Sequence, residues 1–166
     1  MSVDPSTFRE ALGCFATGVT VVTARAADGE LVGITANSFN SVSLSPPLVL
    51  FSIDRQAFSL SKFEESRHFA VNVLREEQRD ISTTFATRLE DKFGRVSFDL
   101  GASGCPILHD SLAVFDCVTR FRYDGGDHVI FVGEVQNIHF DATGRPLLYY
   151  RGRYSRLDGE SKDVDS

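Results

Sequence analysis

A long hairpin in the last third of the chain constrains the fold more than any other feature. Alternating apolar residues from Ala113 to Tyr123 predict one extended strand, and the sequence Asp-Gly-Gly-Asp at 124–127 predicts a tight turn. Residues from His128 to Phe140 then predict a second long strand. Because a short turn can join only antiparallel neighbours, the sequence favours an antiparallel sheet.

Other strand patterns are shorter and are separated by turn residues. Helical spacing of apolar residues predicts three short helices, the first starting at Pro5 and ending at Gly18, the others near 58–65 and 76–85. Residues 88–110 are rich in glycine and are expected to be irregular, which in a compact domain is typical of a functional loop. The further predicted strands are 18–25, 30–36, 48–54, 68–74 and 146–150.

The order of these elements shows no alternation of strands and helices of the kind that builds a parallel sheet. The sequence therefore predicts a mainly β (α+β) fold, an antiparallel barrel with a few short helices. Neither a linker nor an internal repeat divides the chain, so one domain over 1–157 is expected. The polar residues 158–166 predict a disordered C-terminal tail.

Charge and residue types limit the classes of function. The 166 residues carry a formal net charge of −6 with scattered Lys and Arg, which argues against a nucleic-acid or membrane surface. With no export signal or apolar span apparent, a cytoplasmic location is expected. The three cysteines have no CxxC spacing and the histidines are isolated, so neither a disulfide framework nor a metal site is expected, and Cys117 is interpreted as a core residue.

A polar run follows the strand pattern that begins near Leu31. It carries donors and acceptors without charge, which suits a large, neutral, hydrogen-bonding heterocycle better than a metal or a bare phosphate. The alternative is an ordinary polar surface loop. The sequence returns to a buried-strand pattern directly after Pro46-Pro47, which favours a binding site over a surface loop. The polar residues are Thr35, Asn37, Ser38, Asn40, Ser41 and Ser43.

Nucleotide-binding loops of the common kinds are missing from the sequence, which contains no GxGxxG after a strand and no Walker lysine loop. Any nucleotide would therefore bind on the barrel itself. His128 stands directly after the glycine turn, at the first position of a strand, where a side chain can project into a cleft at the barrel rim. The alternative for His128 is a surface turn residue.

Several segments together match a known family. They are FxxALGxFATGVTVVT at 8–23, GITANSFNSVSLSPPLVLFSI at 33–53, FAVNVL at 69–74, Lys92-Phe93, Gly126-Asp127-His128 and the run from Tyr150 to Tyr154. With these segments in the same order over residues 8–157, the chain resembles the short flavin reductase family, the NAD(P)H:flavin oxidoreductase components of two-component monooxygenases. The resemblance implies a split-barrel, FMN-binding type of fold.

The resemblance also implies residue roles. The isoalloxazine ring would be held by Thr35, Ala36, Asn37, Ser38, Ser52 and Ile53. The ribityl chain and phosphate would be served by Ser59, Phe85, Ala86, Lys92 and Arg55. The catalytic His128 would meet the nicotinamide, with Arg151 and Tyr154 on the same side. The cofactors supply the hydride chemistry, so few catalytic side chains are expected.

Partners follow from the same resemblance: FAD or FMN, NADH or NADPH, a second copy in a homodimer, and a monooxygenase that receives reduced flavin by diffusion. The lack of an evident Arg/Lys pair for a 2′-phosphate favours NADH. Alternatives are a flavin-binding electron carrier of the same fold, a haem-binding relative, and the pyridoxamine-phosphate oxidase branch. That branch would need a cluster of Arg and Lys that is not seen between Gly33 and Lys92.

Overall fold

The structure is a computed structural model that describes residues 3–158. Two short 3₁₀ helices, Glu76–Gln78 and Phe93–Arg95, flank the third α-helix. The other elements in chain order are α1 Pro5–Leu12, β1 Thr17–Gly18, β2 Thr20–Arg25, β3 Leu31–Ala36, β4 Asn40–Leu44, β5 Pro47–Asp54, α2 Leu60–Glu65, β6 His68–Val73, α3 Arg79–Ala86, β7 Phe98–Leu100, β8 Pro106–Leu108, β9 Ala113–Gly125, β10 His128–Phe140, β11 Leu148–Tyr150 and β12 Arg153–Ser155.

A seven-stranded antiparallel sheet in the order β3-β2-β6-β9-β10-β5-β4 dominates the molecule. The long predicted hairpin is confirmed as β9 and β10, with Gly125 opposite His128 at its tip. The edge strands β3 and β4 do not pair with each other in the described part of the chain. The fold is thus mainly β with few helices, as predicted. Because β3 and β4 are unpaired edges, the described strands do not close into a barrel. Strands β1, β11 and β12 form a small second sheet, and β7 pairs with β8.

Phenylalanine rings make up much of the core against the main sheet. The Phe51 ring centroid lies 4.8 Å from that of Phe69 and 5.1 Å from that of Phe131, and all three rings are buried. Burying one such ring contributes about 1.5–3 kcal/mol to folding. Gly133 is required beside them, because a Cβ there would lie 2.3 Å from the Phe69 Cζ. Cys117 is fully buried, and burial raises the pKa of its thiol to about 12.

The irregular segment predicted at 88–110 contains the hairpin of β7 and β8, which packs over the main sheet. The Thr23 hydroxyl donates to the Pro106 carbonyl oxygen at 2.6 Å, and the Asn72 side-chain oxygen accepts from the Leu108 N–H at 2.9 Å. These bonds join residues far apart in the sequence, so no local pattern could reveal them. Strands β4 and β12 were likewise not predicted.

The first helix ends earlier than predicted. It stops at Leu12, where Gly13 caps it, instead of at Gly18, and Asp4 caps its N-terminus. Its apolar side chains are not covered by the rest of the described chain, and Phe8 and Leu12 are 55% and 57% exposed.

Two expectations concern the extent of the domain and the C-terminal tail. The single domain at 1–157 stays a prediction. The predicted tail at 158–166 lies outside the described residues except for Asp158, which has no regular secondary structure. No helix within 3–158 is both long and apolar enough to span a membrane.

Candidate active site

A cavity of about 930 Å³ opens between β3 and the end of β5. Its volume falls in the range of roughly 300–1,000 Å³ that is usual for sites of small molecules and cofactors. Its walls come from four segments of the chain, namely 30–38, 52–54, 57–59 and 85–93, together with His128.

The edge of β3 that has no partner strand lines this cavity, since β3 pairs with β2 on one side only. Strand β5 pairs with β4 only as far as Leu50, and beyond that point the Ser38 hydroxyl takes the place of a partner strand for Ser52. Backbone N–H and C=O groups along a free edge need hydrogen-bond partners. A flat heterocycle whose rim alternates carbonyl oxygens with ring N–H can supply such partners.

The polar side chains at the end of β3 and just after it are of two kinds. Some hydrogen-bond within the cavity wall, and others have no protein partner in the described chain. The Thr35 hydroxyl donates to the Ser82 carbonyl oxygen of α3 at 2.6 Å. The Ser38 hydroxyl accepts from the Ser52 N–H at 3.0 Å and contacts the Ser52 carbonyl oxygen at 3.3 Å, which joins β3 to β5. Asn37 is exposed, and no residue within 3–158 hydrogen-bonds to its side chain, so its amide is available to a ligand.

Lys92 places a cation in the wall of the cavity. Its Nζ donates to the carbonyl oxygens of Gly33 at 3.2 Å and Phe85 at 3.0 Å, and no carboxylate in the described chain pairs with it. Burial lowers the pKa of this ammonium, because desolvation disfavours the charged form. An ammonium has three N–H donors, so one remains for an anionic ligand.

Close packing of α3 on β3 shapes the same wall. A Cβ at Gly33 would lie 2.6 Å from the Phe85 Cε1, so only glycine lets the ring approach the strand this closely. Phe93 packs edge-on against Phe85 with ring centroids 5.2 Å apart. The end of α3, including Ala86, is thereby held against the cavity.

His128 lies at the rim, where β10 begins. Its Nδ1 is 2.7 Å from the Asp127 Oδ1, and its side chain is 40% exposed. The hydrogen bond from His128 holds the pKa of the Asp127 carboxyl below its usual value. With Nδ1 directed at a carboxylate, Nε2 is the ring nitrogen left for a ligand.

The structure brings eleven of the predicted site residues together around this cavity: Thr35, Ala36, Asn37, Ser38, Ser52, Ile53, Ser59, Phe85, Ala86, Lys92 and His128. Arg55 does not line it, since its guanidinium bonds Asp124 and Gly126. Arg151 and Tyr154 line a separate cavity of about 470 Å³, with Tyr150, Arg153 and Ser155. The Tyr154 hydroxyl lies 2.8 Å from the Ser82 Oγ and so contacts α3.

Several other residues that line the cavity were not predicted from the sequence. Phe58 lines the cavity and is 88% exposed, and residues 87–91 form the wall between Ala86 and Lys92. The glycine-rich stretch starting near position 88 signalled a functional loop, although it pointed to no particular side chain. Within residues 3–158 no three His, Cys, Asp or Glu side chains are arranged to hold a metal ion.

Comparison with known proteins identifies the family. The sequence profile described as "Flavin reductase like domain" matches residues 12–158. The chain belongs to this flavin reductase family. A probable flavin reductase of Rhizobium meliloti is 46% identical over 161 residues, which cover 95% of this chain and 51% of that protein. This chain therefore spans about half the length of that relative.

Two more members match over most of their own length. The reductase subunit HsaB of a flavin-dependent monooxygenase from Mycobacterium tuberculosis is 41% identical over 160 residues, 95% of this chain and 85% of that protein. An NADH:FAD oxidoreductase from Streptomyces globisporus, solved in complex with NAD and FAD fragments, superposes with a TM-score of 0.91 at 38% identity, covering 98% of this chain and 99% of that one.

Proposed function

We propose that this chain is an NAD(P)H:flavin oxidoreductase that reduces FAD or FMN and supplies the reduced flavin to a separate monooxygenase. The observation that carries the proposal is the cavity between the free edge of β3 and the end of β5, with a cation in its wall and His128 at its rim. Membership of the flavin reductase family agrees with it. We interpret the unclosed sheet as a split barrel of the FMN-binding type. A cytoplasmic location, where NAD(P)H is available, is also part of the proposal.

The residues present fit a flavin. The free edge of β3 and the Asn37 amide offer neutral donors and acceptors to the pyrimidine rim of an isoalloxazine, which is uncharged. Ser52 and Ile53 stand opposite on β5, and Ser59, Phe85 and Ala86 extend the wall towards Lys92. The remaining N–H donor of Lys92 suits the phosphate of FMN or the pyrophosphate of FAD.

When bound, flavin and nicotinamide supply the redox chemistry, in which a hydride passes from nicotinamide C4 to flavin N5. The chain contributes binding and orientation, which must bring the two rings to about 3–3.5 Å. His128 would bind the nicotinamide at the rim, and Asp127 keeps its imidazole oriented. Arg151 and Tyr154 stay predictions for the nicotinamide side, although they line a different cavity from His128.

A homodimer is a further part of the proposal. Its support is the apolar face of α1, which the rest of the described chain leaves exposed at Phe8, Leu12 and the following Phe15. A second copy that covers this face would remove apolar surface from water. Light scattering coupled to size-exclusion chromatography measures the mass in solution. A Leu12→Glu variant should dissociate a dimer formed there, and a monomeric wild-type protein would contradict the proposal.

The reductase activity has a direct test. Purified protein should oxidise NADH, followed at 340 nm, only when FAD, FMN or riboflavin is added. Repeating the series with NADPH establishes the preference for the reductant, for which we expect NADH. No flavin-dependent loss of absorbance with either nucleotide would refute the assignment.

A further inference from the structure

Arg55 makes an unusual set of contacts just after β5. Its Nε donates to the Gly126 carbonyl oxygen at 2.8 Å, and its Nη2 donates to the Asp124 Oδ1 at 2.8 Å. Its backbone N–H donates to the Asp127 carbonyl oxygen, also at 2.8 Å. One residue thus binds three of the four positions in the turn at 124–127.

That turn has few other supports. The side chains of Asp124 and Asp127 are 81% and 90% exposed. The Asp124 carboxylate also accepts from the Gly126 N–H at 3.1 Å, which closes the turn locally. Apart from the ladder of the β9–β10 hairpin, every hydrogen bond from 124–127 to a distant part of residues 3–158 comes from Arg55.

His128 is joined directly to this turn. The imidazole follows it directly and bonds to Asp127, whose carbonyl oxygen accepts from Arg55. On the other side His128 pairs with Asp54, the residue before Arg55. A planar guanidinium with several fixed donors is well suited to hold a turn in one geometry, whereas a lysine ammonium acts as a point charge.

We propose that Arg55 is a positioning residue of the reductase, which acts through the turn to hold His128 at the cavity rim. The proposal rests on the proposed function, since it needs His128 to bind the nicotinamide. It replaces the predicted contact of Arg55 with the flavin phosphate, because both side-chain bonds of Arg55 go to the turn and the residue does not line the cavity. If the turn loosens, His128 is displaced from the rim and orients the nicotinamide less well.

A double-mutant cycle tests this role. Arg55→Ala, His128→Ala and the double variant are compared with wild type for kcat and KM with NADH, using FAD or FMN, whichever supports faster oxidation. We expect Arg55→Ala to lower kcat/KM for NADH about three- to tenfold with unchanged flavin affinity. The same change made in His128→Ala should have no further effect, because the two residues act as one unit. Arg55→Lys should recover part of the loss.

Matched controls separate positioning from a general effect on the fold. Arg120 also pairs with a carboxylate on this hairpin, through a 2.7 Å bond from its Nε to Glu134. Arg120→Ala should leave the NADH kinetics unchanged. Asp124→Ala removes the side-chain partner of Arg55 together with the local bond from the Gly126 N–H, so it should lower kcat/KM for NADH at least as much as Arg55→Ala does, again with no further effect in the His128→Ala background. If Arg55→Ala folds poorly, as judged by its Tm, the same cycle is run with Arg55→Lys, and a loss that persists in the His128→Ala background overturns the inference.

The possible results are distinguishable. Equal losses from Arg55→Ala in both backgrounds would show that Arg55 acts independently of His128 and would overturn the inference. A weaker flavin affinity would overturn it in favour of a phosphate contact. If His128→Ala itself leaves the NADH kinetics unchanged, the role of His128 in the proposed function fails, and the inference fails with it.

Discussion

Replacing Lys92 with methionine removes the cation from the cavity wall and leaves an unbranched side chain that is one heavy atom shorter. In the structure Nζ donates hydrogen bonds to the carbonyl oxygens of Gly33 and Phe85, and no carboxylate within 3–158 pairs with it. A hydrogen bond from a charged donor contributes about 1.5–3 kcal/mol. If the third donor binds the flavin phosphate, Lys92→Met should weaken FMN binding by about ten- to 150-fold.

The assay compares FMN with riboflavin, which has the same ring system and no phosphate. Fluorescence quenching gives the Kd of each flavin for wild type and variant, and the ratio of the two losses isolates the phosphate contact. We expect a large loss for FMN and little change for riboflavin. Equal losses for both flavins would refute the reasoning, since Lys92 would then act only by holding α3 against β3.

The pH dependence gives a second measurement on the same variant. Burial lowers the pKa of Lys92 from its ordinary 10.5, so the ammonium loses its proton at a lower pH than an exposed lysine does. The phosphate contact is present below that lowered pKa and is lost as the pH rises through it. FMN affinity of the wild type should therefore fall on the alkaline side before pH 10.5, whereas that of Lys92→Met should not follow this titration.

Three other expectations concern the remaining cavity residues and the strength of binding. Asn37→Ala should weaken flavin binding by roughly 0.5–1.5 kcal/mol in a fluorescence titration, because a free hydrogen-bonding side chain is lost. Ser38→Ala should weaken flavin binding indirectly and lower the Tm, because its hydroxyl holds Ser52 in the cavity wall. Unchanged affinity in both variants would move the site elsewhere. His128→Ala should raise the KM for NADH or lower kcat by about tenfold, on the order of 1.4 kcal/mol, with little change in flavin Kd, and unaltered steady-state kinetics would make it a turn residue only. Flavin should exchange with a Kd in the micromolar range, about −8 kcal/mol, since the site lacks a glycine-rich phosphate loop; a protein that stays stoichiometrically yellow through dialysis would favour the electron-carrier alternative.

The strand and turn chemistry of the chain was sufficient to predict the dominant architecture. Alternation from Ala113 to Tyr123, the turn at 124–127 and the returning strand are local signals, because side-chain period and turn geometry depend on neighbouring residues. The polar run at 35–43 is also a local signal, and it was right in part. Thr35, Asn37 and Ser38 line the cavity, whereas Asn40, Ser41 and Ser43 belong to β4 and do not line it. Family resemblance then supplied the residue roles, which composition and spacing left open.

Tertiary structure decided what each of those side chains is free to do. The hydroxyls of Thr35 and Ser38 bond to Ser82 and Ser52, so they build the walls, while Asn37 is left for a ligand. Arg55 points its donors at a turn some seventy positions away in the sequence instead of at the cavity. Such partners meet only because the sheet order places β5 beside β10, and a sequence pattern with a reach of a few residues carries no record of that pairing.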